Sequence, residues 1–313
     1  MFKIVRYNAG QADEWNQFVV QSKNGTFLFD RQYMDYHADR FHDHSLLFYR
    51  DEKLYALFPA NENGNILYSH QGLTYGGLIM GTEATTVHVM ECFQLLRQYL
   101  LDHDFHRVVY KAIPWIYHQI PAEEPLYAMY RVFDYRLKER DVSSTIVLAK
   151  PLKWKKDRRH GLHVASDNGI RVEQSDNYAE FWQILKENLQ KCHGVSPVHT
   201  LDEILLLHQR FPSSIVLYAA YREQQMLGGC VVYITSQVVH TQYISSTAEG
   251  KRLGVVNAII KEIIVAYPEY MYLDFGKSTE THSDILNENL IYQKEGFGAR
   301  AVCYDTYEWD VLR

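Results

Sequence analysis

The chain has 313 residues, more than one ordinary domain needs and enough for two. With 47% hydrophobic and 22% charged residues, both halves can bury a core, which excludes wholesale disorder. The formal charge of −6 excludes a general nucleic-acid-coating protein, so any polyanion contact must be local and no DNA partner is expected. The first predicted element is a strand, Phe2 to Tyr7, followed by a helix around Trp15, Phe18 and Val19 and a short one from Asp30 to His37. Ser45 to Arg50, Lys53 to Phe58 and Asn65 to Ser69 are β-rich segments. Val89, Phe93, Leu96 and Leu100 mark one face of a helix, and His106 to Lys111 a strand. A helical region from Pro114 to about Val132 precedes a strand from Ser143 to Ala149.

A dense basic run follows, Lys153 to His160, with five cations against one acid. It reads as a solvated linker helix or as a phosphate-holding patch with Trp154 as a stacking face. Gly169 to Glu173 is a strand, and Tyr178, Phe181, Trp182, Leu185 and Leu189 form an amphipathic helix. Thr200 and Glu203 make a capping box that starts another. Ser214 to Tyr221, Met226 to Ile234 and Val238 to Ser245 form a meander, with a bulge expected at Gly228-Gly229. Leu253, Val256, Ile260 and Ile264 mark a helix, Tyr270 to Asp274 a strand, Ile285 to Lys294 a helix and Arg300 to Trp309 a closing strand. Both halves thus give the order β-α-α-β-β-β-α-β-α-β. The expected domains are residues 1–150 and 169–313, joined by a basic segment at 151–168.

Cys92, Cys192, Cys230 and Cys303 form no CxxC pair and read as small buried thiols in a reducing compartment. His42-Asp43-His44 and Asp102-His103-Asp104-Phe105-His106 match no specific metal-ligand spacing, and no metal is expected. The longest apolar stretches, such as Val255 to Tyr267, are interrupted by Asn257, Lys261 and Glu262. None reaches the roughly 18–20 residues that cross a bilayer. The N-terminus lacks an apolar signal core, so a cytoplasmic chain is expected, with peripheral membrane contact still compatible.

Two segments near the C-terminus carry a resemblance: Asp274-Phe275-Gly276-Lys277-Ser278-Thr279, then Tyr292-Gln293-Lys294-Glu295-Gly296-Phe297-Gly298. With the doubled element order they resemble the Fem family of the GNAT superfamily, aminoacyltransferases that build peptidoglycan cross-bridges, and its uncharacterised FemAB-like relatives. The segments are similar to the family's DFGRST-type strand end and FK-x-x-FG segment, with Lys277 in place of Arg and Gln293 in place of Phe. The resemblance implies an α+β fold of two tandem GNAT-like domains, each a mixed, mainly antiparallel sheet flanked by helices. It implies no tightly bound cofactor, acyl-CoA or aminoacyl-tRNA being the co-substrate, and an amine of a cell-wall precursor as acceptor. The coiled-coil arm of some tRNA-dependent members is missing from the sequence, which weakens the tRNA reading.

In a GNAT domain the donor's pyrophosphate rests where the fourth strand turns into the third helix. Here that turn offers Gly250 and Gly254 for close backbone approach and Lys251 and Arg252 as cations; a plain capped helix is the alternative. The matching turn near Gly76-Gly77 and Gly81 has no cation, which assigns the first half to the acceptor. His70, Thr74 and Tyr75 after one strand, and Tyr117 and His118 after another, would stack on or hydrogen-bond a glycan or peptide. With 24 tyrosines, composition alone also produces such clusters. By resemblance Lys294 matches the family's functional lysine and would stabilise an oxyanion, against the alternative of an exposed lysine favoured by the helix dipole. Lys277 and Ser278 are assigned to the acceptor side. Asp274 is the candidate general base, or else a structural turn residue. The expected activity is N-acyl transfer; the alternative is a catalytically silent protein of this fold that grips a glycan or peptide precursor.

Overall fold

Val89, Phe93, Leu96 and Leu100 lie on one side of the helix Thr86–Asp102, and that side is buried against Phe48, Phe58 and Trp309. The computed structural model describes residues 1–279 and 285–312, the side chains at positions 192 and 193 excepted. The chain divides into two units, Met1–Asp141 with Cys303–Arg313, and Val142–Val302.

The first unit holds an antiparallel sheet ordered Phe2–Arg6, Leu46–Arg50, Lys53–Phe58, Ile79–Met80. A second set of strands includes Asn61–Asn63, Ile66–Tyr68 and Arg107–Lys111, the last two running parallel. Thr306 to Asp310 of the last strand pair antiparallel with Arg107–Lys111. The closing strand, expected to complete the second half, therefore lends its end to the first unit. The expected helical region after Pro114 resolves into a single turn, Trp115–Tyr117, and a helix, Glu124–Val132. The strand after it is Tyr135–Val147 and begins well before Ser143.

In the second unit the strands run Ile170–Gln174, Ile215–Arg222, Gln225–Ile234, Val238–Ser246, Tyr272–Lys277, and then residues 143–147. All neighbours are antiparallel except Val238–Ser246 with Tyr272–Lys277. Val255, Ile259, Ile260 and Ile263 on the helix Val255–Ala266 pack on Val232, Val239 and Leu273. The Thr200–Glu203 capping box is formed. The bulge falls beside the expected glycines: Ala220 pairs with Gly228 and Tyr221 with Met226, leaving Leu227 as the extra residue. The basic run enters the helix Lys156–Asp167 with Lys153, Lys155, Lys156 and Arg159 exposed, as expected of a solvated helix, while Trp154 lies edge-on to Phe297 and the Lys155 ammonium 3.8 Å from the Tyr292 ring. Among the cysteines with described side chains, Cys92 and Cys230 are buried; Cys303 is exposed, because its strand turns alternate residues outward. Cys192 lies outside the described side chains.

Candidate active site

The parallel strands of the second unit pair Val238 with Tyr272, Val239 with Leu273 and His240 with Asp274, and there the ladder ends. In the antiparallel ladder with residues 143–147 the register shifts between Asp274 and Lys277, and Gly276 is left-handed (φ 74°), so the strand is irregular just past this point. His240 and Asp274 thus stand where two strands part.

Asp274 is 0% exposed. One carboxylate oxygen accepts from Ser143 Oγ at 2.5 Å and Thr145 Oγ1 at 2.8 Å; the other accepts from His240 Nδ1 at 2.8 Å and the Gly276 N–H at 3.3 Å. Burial would push this carboxyl up, but the bond and charge of His240 and the two hydroxyls outweigh it and hold it below its ordinary range. A base so enclosed and so fully bonded does not meet a substrate. Accepting from Nδ1–H, it orients the His240 ring.

Lys294 lies in the last turn of the helix Glu288–Gly296. Its ammonium donates to the carbonyls of Gly276 (2.8 Å) and Lys277 (2.7 Å) and to Ser278 Oγ (3.0 Å). All three donors are therefore committed to the bent strand end. Burial lowers this lysine to about 8, with the Asp274 charge opposing the drop. The Lys277 side chain is exposed, whereas Ser278 is buried. Asp274, Lys277, Ser278 and Lys294 come together here as neighbours of one strand end. His240, Ser143 and Thr145 complete the cluster and were not singled out from sequence. The available signal was the histidine interrupting Val238-Val239-His240-Thr241-Gln242-Tyr243, and the need of a buried Asp274 for several donors.

The expected donor turn forms a short helix, Ala248–Arg252, whose Gly250 N–H donates to Thr247 Oγ1 at 3.0 Å. Its glycines answer to the chain itself. A Cβ on Gly250 would lie 2.4 Å from the Leu227 carbonyl oxygen, and one on Gly254 (φ 69°) 2.1 Å from that of Gly161. Lys251 donates to Asn188 Oδ1 at 3.2 Å, and Arg252 is exposed. Three hydroxyls on the preceding strand, of Thr241, Ser245 and Ser246, are buried with no partner among the described residues.

The expected acceptor residues of the first unit do not form an open site. Tyr75 and Tyr117 are each 2% exposed and packed on one another at 4.5 Å. His70 is buried, and His118 meets the Ile113 carbonyl oxygen at 3.1 Å; only Thr74 is exposed. The reason is the loop after Ile66–Tyr68. Gly76 donates to the Lys111 carbonyl and approaches the Ser69 carbonyl so closely that a Cβ would sit 2.0 Å from it. The first unit's parallel pair is closed by its own chain.

Two units with these mixed sheets, each built about a parallel pair, define an α+β chain of two tandem GNAT-like domains. Among solved structures, that of FemX is similar with a TM-score of 0.70 at 9% identity, over 97% of this chain and 96% of that one. The L-PGS of Bacillus licheniformis is similar with a TM-score of 0.59 at 11% identity, over 96% and 91%. A tandem GNAT protein from the clavulanic acid biosynthesis pathway gives 0.54 at 9% identity, over 99% of both chains. The likeness is one of fold. No family model and no curated protein matches the sequence.

Proposed function

We propose that this chain is an N-acyltransferase that moves an acyl or aminoacyl group from acyl-CoA or aminoacyl-tRNA to an amine of a cell-wall or polysaccharide precursor in the cytoplasm. The supporting observation is the His240–Asp274 pair at the parting of the two parallel strands. The amine nitrogen attacks the donor carbonyl and a C–N bond forms. Its proton passes to His240 Nε2, and the C–S or C–O bond to the donor breaks, the leaving sulfur or oxygen taking a proton. Asp274 balances the imidazolium formed on the way. Lys294 adds positive charge beside the same strand end and holds its carbonyls in place.

With radiolabelled acetyl-CoA and aminoacyl-tRNA tested separately against a panel of amines, amino sugars and muropeptides, His240→Gln should lower kcat by about a hundredfold. Its melting temperature should stay near that of the wild type. Full activity in this variant would remove His240 as the base. A silent, precursor-binding protein is the second reading, favoured by the commitment of every Lys294 donor within the chain. It predicts binding heat with precursors and no turnover with either donor.

A further inference from the structure

Residues 130–140 and the end of the last strand border a cleft wholly within the first unit. It measures about 550 Å³, inside the roughly 300–1,000 Å³ typical of ligand sites. Its walls are aromatic. Tyr130 is 65% exposed, and Tyr135 and Tyr307 meet edge to face with centroids 5.5 Å apart. Phe133 lies behind them, stacked on Trp309 at 4.5 Å.

The charges around it are mostly matched. Arg140 grips Asp305 through two 2.7 Å bonds, and the Tyr307 hydroxyl donates to the same carboxylate. Arg136 and Lys138 pair with Glu308, and Arg107 with Asp310. Two groups stand apart. Asp134 is exposed, lines both this cleft and an adjoining cavity of about 160 Å³, and has no partner among the described residues. Trp309 lines the adjoining cavity, and its buried indole N–H has no acceptor among the described residues. Such orphan donors are few in folded proteins, so this one points to an acceptor supplied from outside.

A fitting ligand must offer an apolar face to the tyrosines, hydroxyls to the two Asp134 oxygens and an acceptor to the indole. A pyranose ring has all three: its C–H face stacks on an aromatic ring, vicinal hydroxyls donate to one carboxylate, and its remaining oxygens accept. A bare organic cation would suit the rings and Asp134. It would leave the indole donor unmet and face the guanidinium groups of Arg136 and Arg140 on the rim. We infer that this cleft binds a sugar ring of a glycan. The inference gives the reading above a saccharide subsite but stands on the first unit's own side chains.

Titration calorimetry and saturation-transfer NMR on the full chain, with N-acetylglucosamine and its β-1,4 dimer as probes, should show binding. Tyr130→Ala and Asp134→Asn should each weaken it about tenfold or more with little change in melting temperature. His240→Gln should leave it intact, and Tyr130→Ala should still acylate a small free amine. Full transfer by His240→Gln with intact sugar binding would therefore strike only the His240 reading. Three results would overturn the subsite: no sugar binding at tens of millimolar, equal binding by wild type and both variants, or tetramethylammonium bound in place of the sugars.

Discussion

Among the described residues four donors converge on the Asp274 carboxylate, and they set the direction of its pH dependence. Its folded-state pKa lies below the ordinary 3.8, so the unfolded chain binds the proton more readily. The stability it confers is complete above that ordinary value and is lost as pH falls through the lower folded one. Asp274→Asn should abolish this acid limb and cost about 1–3 kcal/mol at pH 7, since the buried donors lose their charged acceptor. Urea midpoints at pH 7 and pH 3 measure it; parallel acid dependence in variant and wild type would refute it. Turnover should fall further than stability, because an amide can turn its NH₂ toward Nδ1 and fix the other tautomer of His240. Asp274 and Lys294 were legible in sequence because they sit in a recognisable segment. His240 was not: a lone histidine in an apolar strand looks like any other, and only its bond to Asp274 sets it apart.

At the level of elements, the first unit's parallel pair, Ile66–Tyr68 with Arg107–Lys111, is closed by its own chain. In the first unit the loop that fills the space passes through His70, buried with a left-handed backbone (φ 67°). Burial, with help from the nearby positive charges, lowers this imidazole to about 3 from 6.5. Between those values the unfolded chain holds a proton that the folded one does not, so acid weakens the fold there, by about 2 kcal/mol at pH 5. His70→Asn keeps a residue type that tolerates the left-handed region. It should therefore lose less melting temperature than the wild type between pH 7.5 and pH 5; an equal loss would contradict this.

Helix Thr86–Asp102 and the Thr200–Glu203 cap were legible because apolar spacing and capping chemistry are local signals. The stretch Tyr135 to Asp141 was missed because its alternate residues are charged and find their partners far along the chain. Arg136 and Lys138 meet Glu308, and Arg140 meets Asp305. With that strand the aromatic cleft beside it also escaped notice. Tyr75 and Tyr117, chosen for their rings, proved to be core, since composition cannot tell a platform from packing.

For the molecule as a whole, the assignment of Cys303–Arg313 to the first unit matters most. Tyr304, Trp309 and Val311 are buried in it. Removing a buried tryptophan alone typically costs about 3–5 kcal/mol. A chain ending at Val302 should therefore lose the first unit's cooperative melting transition and its resistance to limited proteolysis. Wild-type protection of residues 1–141 in that truncation would contradict it.

The same strand sets a schedule on the ribosome. Arg107–Lys111 must wait for its partner Thr306 to Asp310 through the synthesis of everything between them. At roughly 5–20 residues per second that delay is on the order of 10–40 s. A nascent first unit spends this interval with one side of its core uncovered, so the part of the chain made first is finished after the part made second, and chaperone capture in that window should favour the early residues.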